Sequence, residues 1–242
     1  MLDTVSVAMA TYNGGKFIRA QLLSILLNID SNDELIISDD GSTDETVEII
    51  KEFQRKYGFI KLYKNIHKKG PVGNFETAIE NCTKDFIFLS DQDDVWYFNK
   101  KKKIISIFNA NPNVQLVLHN AYIFNNSKKK VTGDLFSKLG YRKSIIGLII
   151  KNPYIGCCMA FRKSLKVQIL PFPDYSLIYI HDWWIAICAI KVGKTAYIQD
   201  KLILYRIHEN NNIGFNKTDL FFKIKKRLNI IKCIIKERGR FH

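Results

Sequence analysis

The 242-residue sequence predicts an α/β fold with a mostly parallel central sheet, and three observations lead to that prediction. Short β-branched, apolar runs alternate with segments of helical periodicity through the first hundred residues, which is typical of a sheet covered by helices. Three of these strands end in polar or acidic residues, as strands around a ligand site do. Hydrophobic residues make up 47% of the chain, which is enough for a substantial core.

The first hundred residues contain four strands, with a helix after each of the first three. We expect strands at residues 5–10, 35–37, 60–63 and 86–89, and helices over 17–27, after Ser42 and around 75–82. Ser42 and Glu45 have the spacing of a capping box, so we expect Ser42 to be the N-cap of the second helix. The fourth strand runs into the acidic segment Asp91-Gln92-Asp93-Asp94.

The second half of the chain is less regular. We expect strands near residues 114–119, 157–161 and 197–205, and a helix over 182–191. From residue 219 onward, apolar residues recur at helical spacing between lysines and arginines, which predicts a basic amphipathic helix. Its apolar stripe comprises Leu220, Ile224, Leu228, Ile231 and Ile235.

The formal charge of +14 indicates an anionic partner: nucleic acid, a nucleotide, a lipid diphosphate or an acidic membrane surface. Residues 217–242 hold nine basic and two acidic residues, a net charge of +7. Lysine clusters at 100–103 and 128–130 add to the charge, although a solvated surface explains them equally well.

Cysteine usage and the N-terminus indicate the compartment. The five cysteines are odd in number and form no Cys-x-x-Cys pair, which favours reduced thiols in the cytosol. No run has the length and flanks of a signal peptide or a membrane span, so we expect a protein that is neither secreted nor transmembrane.

Polar residues at three strand ends predict one ligand site, because ligands bind beyond the carboxyl ends of the strands in an open parallel sheet. The segments are residues 11–13, 39–40 and 91–94. Each alone also suits a turn, but together they favour a site. Three carboxylates within residues 91–94 repel one another unless a cation neutralises them, and Mg²⁺ or Mn²⁺ held between carboxylates and a diphosphate fits that need.

At this point the chain resembles the family 2 glycosyltransferases with the GT-A fold, particularly their rhamnosyltransferase-like bacterial branch. The resemblance covers about residues 3–215 and rests on several segments in the family's order. They are Ala10 to Gly14, Ser38 to Asp44, Gly70 to Phe75, Leu89 to Trp96, Gly156 to Phe161, His181 to Trp184, and Tyr205 to His208 with the Asn210 to Asn212 run.

The resemblance implies a GT-A (Rossmann-like) nucleotide-diphospho-sugar transferase domain over residues 1–215 and a basic helical extension over 216–242. Residues 1–100 would be the nucleotide-binding half and 101–215 the acceptor-binding half. The implied nucleotide-sugar contacts are Thr11, Tyr12, Asn13, Asp39, Asp40, Gly70, Asn74, Asp91, Gln92 and Arg206. Asp39 would accept from the imide N–H of a uracil or thymine base.

The resemblance also implies a site for Mg²⁺ or Mn²⁺ at Asp91, Asp93 and His208. Which of Asp91, Asp93 and Asp94 touches the metal stays open, and a surface loop is the alternative for Arg206 and His208. The implied acceptor contacts are Trp96, Cys157, Trp183 and Trp184, although the tryptophans fit a core equally well.

Asp182 matches the family's catalytic base. Inversion at an anomeric carbon requires the acceptor hydroxyl to lose its proton as it attacks, and one carboxylate suffices for that. A helix-capping aspartate is the rival explanation, since Asp182 precedes an apolar helical stretch. The two roles are compatible. The His181-Asp182 pair, in place of the Glu-Asp found in many members, is familiar from the rhamnosyltransferase-like branch.

These features imply an inverting enzyme that moves a sugar from a UDP- or dTDP-sugar to a hydroxyl of a lipid-linked saccharide in bacterial cell-surface polysaccharide synthesis. It would lie in the cytoplasm, peripheral on the inner face of the membrane, with its basic helix on the anionic surface. A helix packed on the domain or exposed in solution is the alternative. We expect no nucleic-acid partner. Two alternative functions remain open: the positive charge suggests a nucleic-acid-binding protein, and a sugar nucleotidyltransferase is the second.

Overall fold

The computed structural model describes residues 3–140, 144–208 and 220–241. Within these ranges, nine strands form one sheet in the order β3-β2-β1-β4-β8-β6-β9-β5, and β7 pairs with β6. The strands are β1 Val5–Thr11, β2 Glu34–Asp39, β3 Ile60–Lys64, β4 Phe86–Ser90, β5 Val95–Trp96, β6 Val114–Asn125, β7 Lys130–Asp134, β8 Met159–Arg162 and β9 Lys194–Ile207.

Helices precede or follow most of these strands. They are α1 Gly15–Leu26, α2 Thr46–Lys56, α3 Pro71–Glu80, α4 Lys100–Ala110, α5 Leu135–Leu139, α6 Ile145–Ile150, α7 Lys166–Ile169, α8 His181–Val192 and α9 Leu220–Lys236. None of the helices within the described ranges is both long and apolar enough to cross a bilayer.

The first four strands create the site edge. β1 lies between β2 and β4 and is parallel to both, so the three carboxyl ends reach the same edge. The register pairs Thr11 with Asp39, and Met9 with Ser90 just before the acidic segment. β2 is buried along its whole length, as a central strand with both faces covered should be.

The second half extends the same sheet with mixed strand directions. β8 is antiparallel to β4 and β6, whereas β9 is parallel to β6 and antiparallel to β5. β5 follows the acidic segment directly and pairs with β9, so β9 connects the second half of the chain to the first half. The expected strands and long helices are confirmed, with one change: residues 156–158 form a 3₁₀ turn and β8 begins at Met159.

The prediction for the start of α2 was wrong. The helix begins at Thr46, and its N-cap residue, Glu45, makes no side-chain cap. The Ser42 hydroxyl instead donates to Asp39 at 2.5 Å, while Asp44 accepts from the Thr46 amide at 3.1 Å. Ser42 is therefore used to shape the loop, and Asp44 takes the capping role.

The predicted basic helix exists as α9 and lies against the domain. Ile230 and Cys233 are fully buried, and Asn229 Nδ2 donates to Ser176 O at 3.0 Å. The predicted boundary between residues 215 and 216 and the Asn210 to Asn212 run lie outside the described residues. The sequence left open whether this helix packs on the domain, and one face of α9 does so.

Candidate active site

The loop after β1 is fastened to the loop after β2. Asn13 has a φ of 48°, a left-handed conformation that asparagine tolerates better than most residues. Its Oδ1 accepts from the Thr43 amide at 2.8 Å, and its own amide donates to Ser42 Oγ at 2.9 Å. Two more amides of the loop donate to side chains at the start of α2: Gly14 to Thr46, and Gly15 to Asp44. The predicted segments 11–13 and 39–40 therefore belong to one wall.

Asp39 shapes this wall from within. Its Oδ1 accepts from the amides of Gly41 and Ser42 at 3.0 and 2.8 Å, and its Oδ2 accepts from the hydroxyls of Thr11 and Ser42 at 2.9 and 2.5 Å. A carboxylate has about four acceptor positions, so the loop already uses the capacity of Asp39. A hydrogen bond to a nucleobase would have to displace one of these donors.

Asp40 joins the loop after β2 to the loop after β3, and Asn74 joins α3 to the end of β1. Asp40 accepts from Asn65 Nδ2 at 2.6 Å and from the Gly70 amide at 2.8 Å, and Gly70 has a φ of 116° that favours glycine. Asn74 donates to Thr11 O at 2.9 Å. Its buried Oδ1 has no hydrogen-bond partner among the described residues. Such an atom is expected to receive a donor from a ligand or water.

Gln92 connects the acidic segment to the first loop. Its Oε1 accepts from the Tyr12 amide and its Nε2 donates to Tyr12 O, both at 2.9 Å. A side chain on Gly14 would bring a Cβ within 2.2 Å of Gln92 Oε1, so only glycine leaves room for this contact. The Tyr12 side chain remains 53% exposed at the edge of the site.

The acidic segment contains a cluster that fits a divalent cation. One ligand atom each from Asp91, Asp94 and Cys157 lie within 4.8 Å of one another. Asp94 is 1% exposed, and no described residue pairs with its Oδ2. A buried carboxylate oxygen without a donor is costly unless a cation binds it, and carboxylates are the ligands that Mg²⁺ and Mn²⁺ prefer.

Burial and mutual repulsion raise the pKa values of these two carboxyl groups. Burial, followed by the charge of Asp93, raises the pKa of Asp91 to about 7. Burial and then the charges of Asp93 and Asp91 raise the pKa of Asp94 well above its usual range. A cation bound between the two carboxylates would relieve their mutual repulsion, and it would compete with protons for the same oxygens.

The predicted metal ligands Asp93 and His208 meet directly. His208 Nε2 lies 2.7 Å from Asp93 Oδ2. Arg206 supports the same segment, since its amide donates to Asp94 Oδ1 at 3.0 Å and its Nε donates to Asp93 O at 2.8 Å. Arg206 Nη1 also donates to Asn126 Oδ1 at 2.9 Å. The surface-loop alternative is wrong for Arg206, which lies in β9, whereas His208 follows the strand; that either residue contacts a metal or a diphosphate stays a prediction.

Asp182 lies in the first turn of α8, and the charge of Asp91 affects its pKa. It is 7% exposed, and Asn152 Nδ2 lies 3.4 Å from its Oδ1. Burial is the main cause that raises its pKa to about 7, and the charge of Asp91 raises it further. The amides of Trp183 and Gly156 oppose that rise. A carboxyl group with this pKa is a much stronger base at neutral pH than an ordinary aspartate.

The residue before Asp182 fixes the start of α8. The His181 ring stacks on Phe75 with centroids 3.9 Å apart, and a Cβ on Gly156 would lie 2.6 Å from His181 Nε2. Burial lowers the pKa of His181 to about 3, so its ring is neutral. His181 therefore acts as a packed aromatic residue that holds α8 against α3.

The predicted acceptor contacts are mostly core residues. Trp184 is fully buried and donates to Ile169 O at 3.0 Å, while Trp96 is 3% exposed under the Lys100 ammonium, 3.8 Å from its ring centroid. Cys157 is fully buried beside the acidic segment. These three residues have no surface to offer an acceptor, so that prediction is corrected. Trp183 is 7% exposed, and a contact between it and the acceptor stays a prediction.

Lys100 is the site residue that the sequence did not identify. It was grouped with a basic surface cluster, yet it is fully buried and its Nζ donates to Cys157 O at 2.8 Å. Its charge lowers the pKa of Asp91, while burial lowers its own pKa to about 8. The four-residue spacing of Lys100, Ile104 and Phe108 could have predicted that Lys100 is buried, because all three lie on the buried face of α4.

Comparisons with known proteins show which sequences and folds this chain is similar to. The family model described as glycosyl transferase family 2 matches residues 6–169. The dTDP-rhamnosyl transferase RfbG of Shigella flexneri is 33% identical over 236 residues, which cover 93% of this chain and 79% of the relative. The glucosyltransferase WfgD of Escherichia coli is 29% identical over 231 residues, with 94% and 85% covered. Its name specifies UDP-Glc and an alpha-D-GlcNAc-diphosphoundecaprenol acceptor.

Solved structures share the fold. S. aureus TarS 1-349 in complex with UDP-GlcNAc gives a TM-score of 0.72 at 18% identity, over 96% of this chain and 66% of that one. The mannosyltransferase PcManGT of Pyrobaculum calidifontis, in complex with GDP-Man and Mn²⁺, gives 0.65 at 16% identity, over 98% and 71%. At these identities the likeness is one of fold, and the fold is GT-A.

Proposed function

The chain belongs to glycosyl transferase family 2, and from that premise we propose that it is an inverting enzyme for cell-surface polysaccharide synthesis. In this proposal a sugar moves from a UDP- or dTDP-sugar to a hydroxyl of a saccharide acceptor. The observation that carries it is the buried Asp182 carboxyl, whose pKa is raised to about 7 by burial and by the charge of Asp91, a member of the cluster of Asp91, Asp94 and Cys157. The family match favours this function over a nucleic-acid-binding protein or a nucleotidyltransferase.

Asp182 performs the proton transfer. Its carboxylate accepts the proton of the acceptor hydroxyl as the oxygen attacks the anomeric carbon from the face opposite the nucleoside diphosphate. Because the attack and the departure occur on opposite faces, the product is inverted and no covalent sugar intermediate forms. Asn152, 3.4 Å away, orients the carboxyl group. The helix-capping alternative for Asp182 is wrong, because α8 begins at His181 and its N-cap residue is Ile180, which makes no side-chain cap.

The donor binds along the edge formed by the loops after β1, β2 and β4. Thr11, Asp39 and Asp40 build the wall for the nucleoside, and Asn74 Oδ1 offers a buried acceptor to it. Mg²⁺ or Mn²⁺ bound by the acidic segment would neutralise the diphosphate as it leaves. Asp91 and Asp94 are the residues best placed to hold it, while Asp93, His208 and Arg206 position the segment.

The donor base and the acceptor are taken from the relatives as part of the proposal. The name of RfbG indicates dTDP-rhamnose, and that of WfgD indicates UDP-glucose with a lipid diphosphate-linked acceptor. A thymidine or uridine diphosphate sugar and a lipid-linked saccharide are therefore the substrate classes to test first. An acceptor of that kind implies work at the inner face of the cytoplasmic membrane.

A donor panel tests the proposal. Purified protein is incubated with UDP- and dTDP-sugars, with Mn²⁺ or Mg²⁺ and then with chelator, and nucleoside diphosphate release is measured. We expect release with at least one donor, its loss with chelator, and its loss in Asp182→Asn but not in the exposed Asp200→Asn. Release that ignores chelator would remove the metal from the proposal, and no release with any donor would overturn the function.

A further inference from the structure

The C-terminal helix α9 uses two faces, and only one of them packs on the domain. Ile230 and Cys233 are buried, and Arg227 Nη2 donates to Ile150 O at 2.6 Å at the end of α6. Asn229 is bonded to Ser176 O. These contacts fix the rotation of α9 about its axis, so the face opposite Ile230 and Cys233 points away from the domain.

The opposite face is an apolar stripe in solvent. Its residues follow the spacing of one helix face, and no residue of the described chain buries them. They are Phe221, Ile224, Leu228, Ile231 and Ile235, with exposures from 37% for Ile231 to 74% for Phe221. The sequence predicted a stripe of Leu220, Ile224, Leu228, Ile231 and Ile235 on a basic helix that lies on an anionic surface, and four of these residues belong to the exposed face.

A second exposed apolar pair lies beside the stripe. Ile146 and Ile150 on α6 are 73% and 59% exposed, and they are four residues apart on a helix that contacts α9. We call these seven residues the α6–α9 platform. Monomeric soluble domains rarely expose a contiguous apolar surface of this kind unless a partner or a membrane covers it.

Positive charge surrounds the platform. Lys223, Lys225, Lys232 and Lys236 are exposed on α9, and the helix contains no acidic residue from Leu220 to Lys236. Apolar side chains on one face with lysines beside them are typical of a helix that lies in the interface of a bilayer. The lysines gain from anionic headgroups, whereas nucleic acid would leave the apolar stripe in water.

We propose that the α6–α9 platform is a docking surface for a bilayer that contains anionic lipids, with both helices lying in the plane of the headgroups. This inference rests on the proposed function only for the assumption that the acceptor is membrane-borne. Beyond that function, it names the residues that contact the bilayer and the orientation of the domain on it. α9 reaches the catalytic side, since the Lys226 ammonium lies 5.0 Å from the ring centroid of Tyr179, three residues before Asp182.

The orientation has a chemical consequence. A saccharide carried on a lipid diphosphate projects a short distance from the headgroups, so a docked platform brings the Asp182 side of the domain to the height of that saccharide. The donor edge, built by the loops after β1, β2 and β4, stays open to dissolved nucleotide sugar. Each substrate thus arrives from the phase in which it resides.

Vesicle co-sedimentation tests the platform. The full chain is mixed with vesicles of phosphatidylcholine alone, or of three parts phosphatidylcholine to one part phosphatidylglycerol. We expect binding to the anionic vesicles that weakens at high salt. The variant F221S/I224S/L228S should weaken that binding by about a hundredfold or more, since three apolar side chains no longer enter the interface. I146S/I150S should weaken it by about tenfold or more.

Matched controls exist elsewhere on the surface. Leu23 on α1 and Leu27, the residue that follows this helix, form an exposed apolar pair at the same four-residue spacing, so L23S/L27S should bind like the wild type. K223Q/K225Q/K232Q should weaken binding by about a hundredfold, whereas the equally exposed K128Q/K129Q/K130Q should change it by less than about threefold.

Several outcomes would overturn the platform. The inference fails if wild-type protein does not bind anionic vesicles, or if the stripe variant binds like the wild type. It also fails if sedimentation equilibrium shows that the stripe instead joins two copies of the chain. Nucleoside diphosphate release without vesicles is measured on the same samples. Loss of that release with intact vesicle binding would overturn the proposed function alone.

Discussion

Gln92 and Tyr12 are joined by two hydrogen bonds of 2.9 Å, one in each direction between the Gln92 amide group and the Tyr12 backbone. These bonds connect the acidic segment to the loop after β1 across 80 residues of sequence. The connection depends on Gly14, which leaves the space that the Gln92 side chain occupies.

Gly14→Ala should therefore weaken donor binding. The new Cβ would lie 2.2 Å from Gln92 Oε1 and displace that side chain, so both bonds to Tyr12 are lost. Two such bonds contribute about 1–3 kcal/mol, which corresponds to roughly a tenfold or larger increase in KM for the donor. Steady-state kinetics of nucleoside diphosphate release measure it.

Gly58→Ala is the control, because its Cβ meets no atom within 4 Å. A second comparison uses Gln92→Ala alone and combined with Gly14→Ala. If the two changes act through the same bonds, the double variant is no worse than the poorer single variant. Fully additive losses would mean that Gly14 acts on something other than Gln92.

The pH dependence of transfer should report Asp182. Its raised pKa of about 7 means that the catalytic carboxylate form is lost as the pH falls below 7. We expect kcat/KM to fall about tenfold per pH unit below that point and to level off above it. The profile is measured with saturating metal at each pH, since the protons on Asp91 also compete with the cation.

The exposed Asp200→Asn variant should keep the wild-type profile, and Asp182→Asn should lack transfer at every pH. A kcat/KM that stays constant from about pH 5.5 to about pH 8 would contradict the assignment, because no ordinary base with a pKa near 7 could then be involved.

The buried, ionised Asp182 carboxylate should also lower the free energy of unfolding at alkaline pH. A folded-state pKa raised from 3.8 to about 7 means that the folded protein holds this proton more tightly than the unfolded chain. Its contribution to stability is thus greatest below about pH 4 and declines as the pH rises towards 7. In metal-free buffer, Asp182→Asn removes this decline and should stabilise the protein by about 1–3 kcal/mol at pH 8.

Urea unfolding at several pH values measures this effect. The difference in the free energy of unfolding between Asp182→Asn and the wild type should shrink as the pH approaches about 4. A variant that is less stable than the wild type at pH 8 would show that the carboxylate is well solvated or paired in the folded protein, contrary to its burial.

The lysine run at the start of α4 should give two opposite results. Lys100 is fully buried beneath the acidic segment, whereas Lys102 is exposed. Lys100→Met leaves Cys157 O without its donor and the nearby carboxylates without a cation, and should cost about 3 kcal/mol at pH 7. Lys102→Met should change the free energy of unfolding by less than about 0.5 kcal/mol. Equal effects in the two variants would contradict the buried position of Lys100.

Much of the donor half was predictable from sequence, because strand and helix periods and polar strand ends are local signals. Asp39, Asp91 and Asp182 were identified by such signals together with the family resemblance. What the local signals did not give is what each side chain touches. Lys100 looked like part of a charged surface, because the exposed Lys102 and the partly buried Lys101 and Lys103 follow it and hide the helical period that buries it.

Long-range packing explains the other differences. Trp96 and Trp184 face the core because strands and helices far away in sequence cover them, and an aromatic residue next to a motif gives no sign of that. The capping box at Ser42 failed because Asn13 and Asp39 take the serine hydroxyl into a loop contact. Both cases depend on neighbours that sequence spacing does not specify.

The bond between the Arg206 amide and Asp94 Oδ1 spans 112 residues, and it places the last strand, β9, against the acidic segment. Because a chain emerges from the ribosome from its N-terminus, the loops after β1 and β2 can fold long before β9 is synthesised. Arg206 joins the acidic segment only when β9 pairs with β5. The acidic segment therefore reaches its final position only after the second half of the sheet has formed.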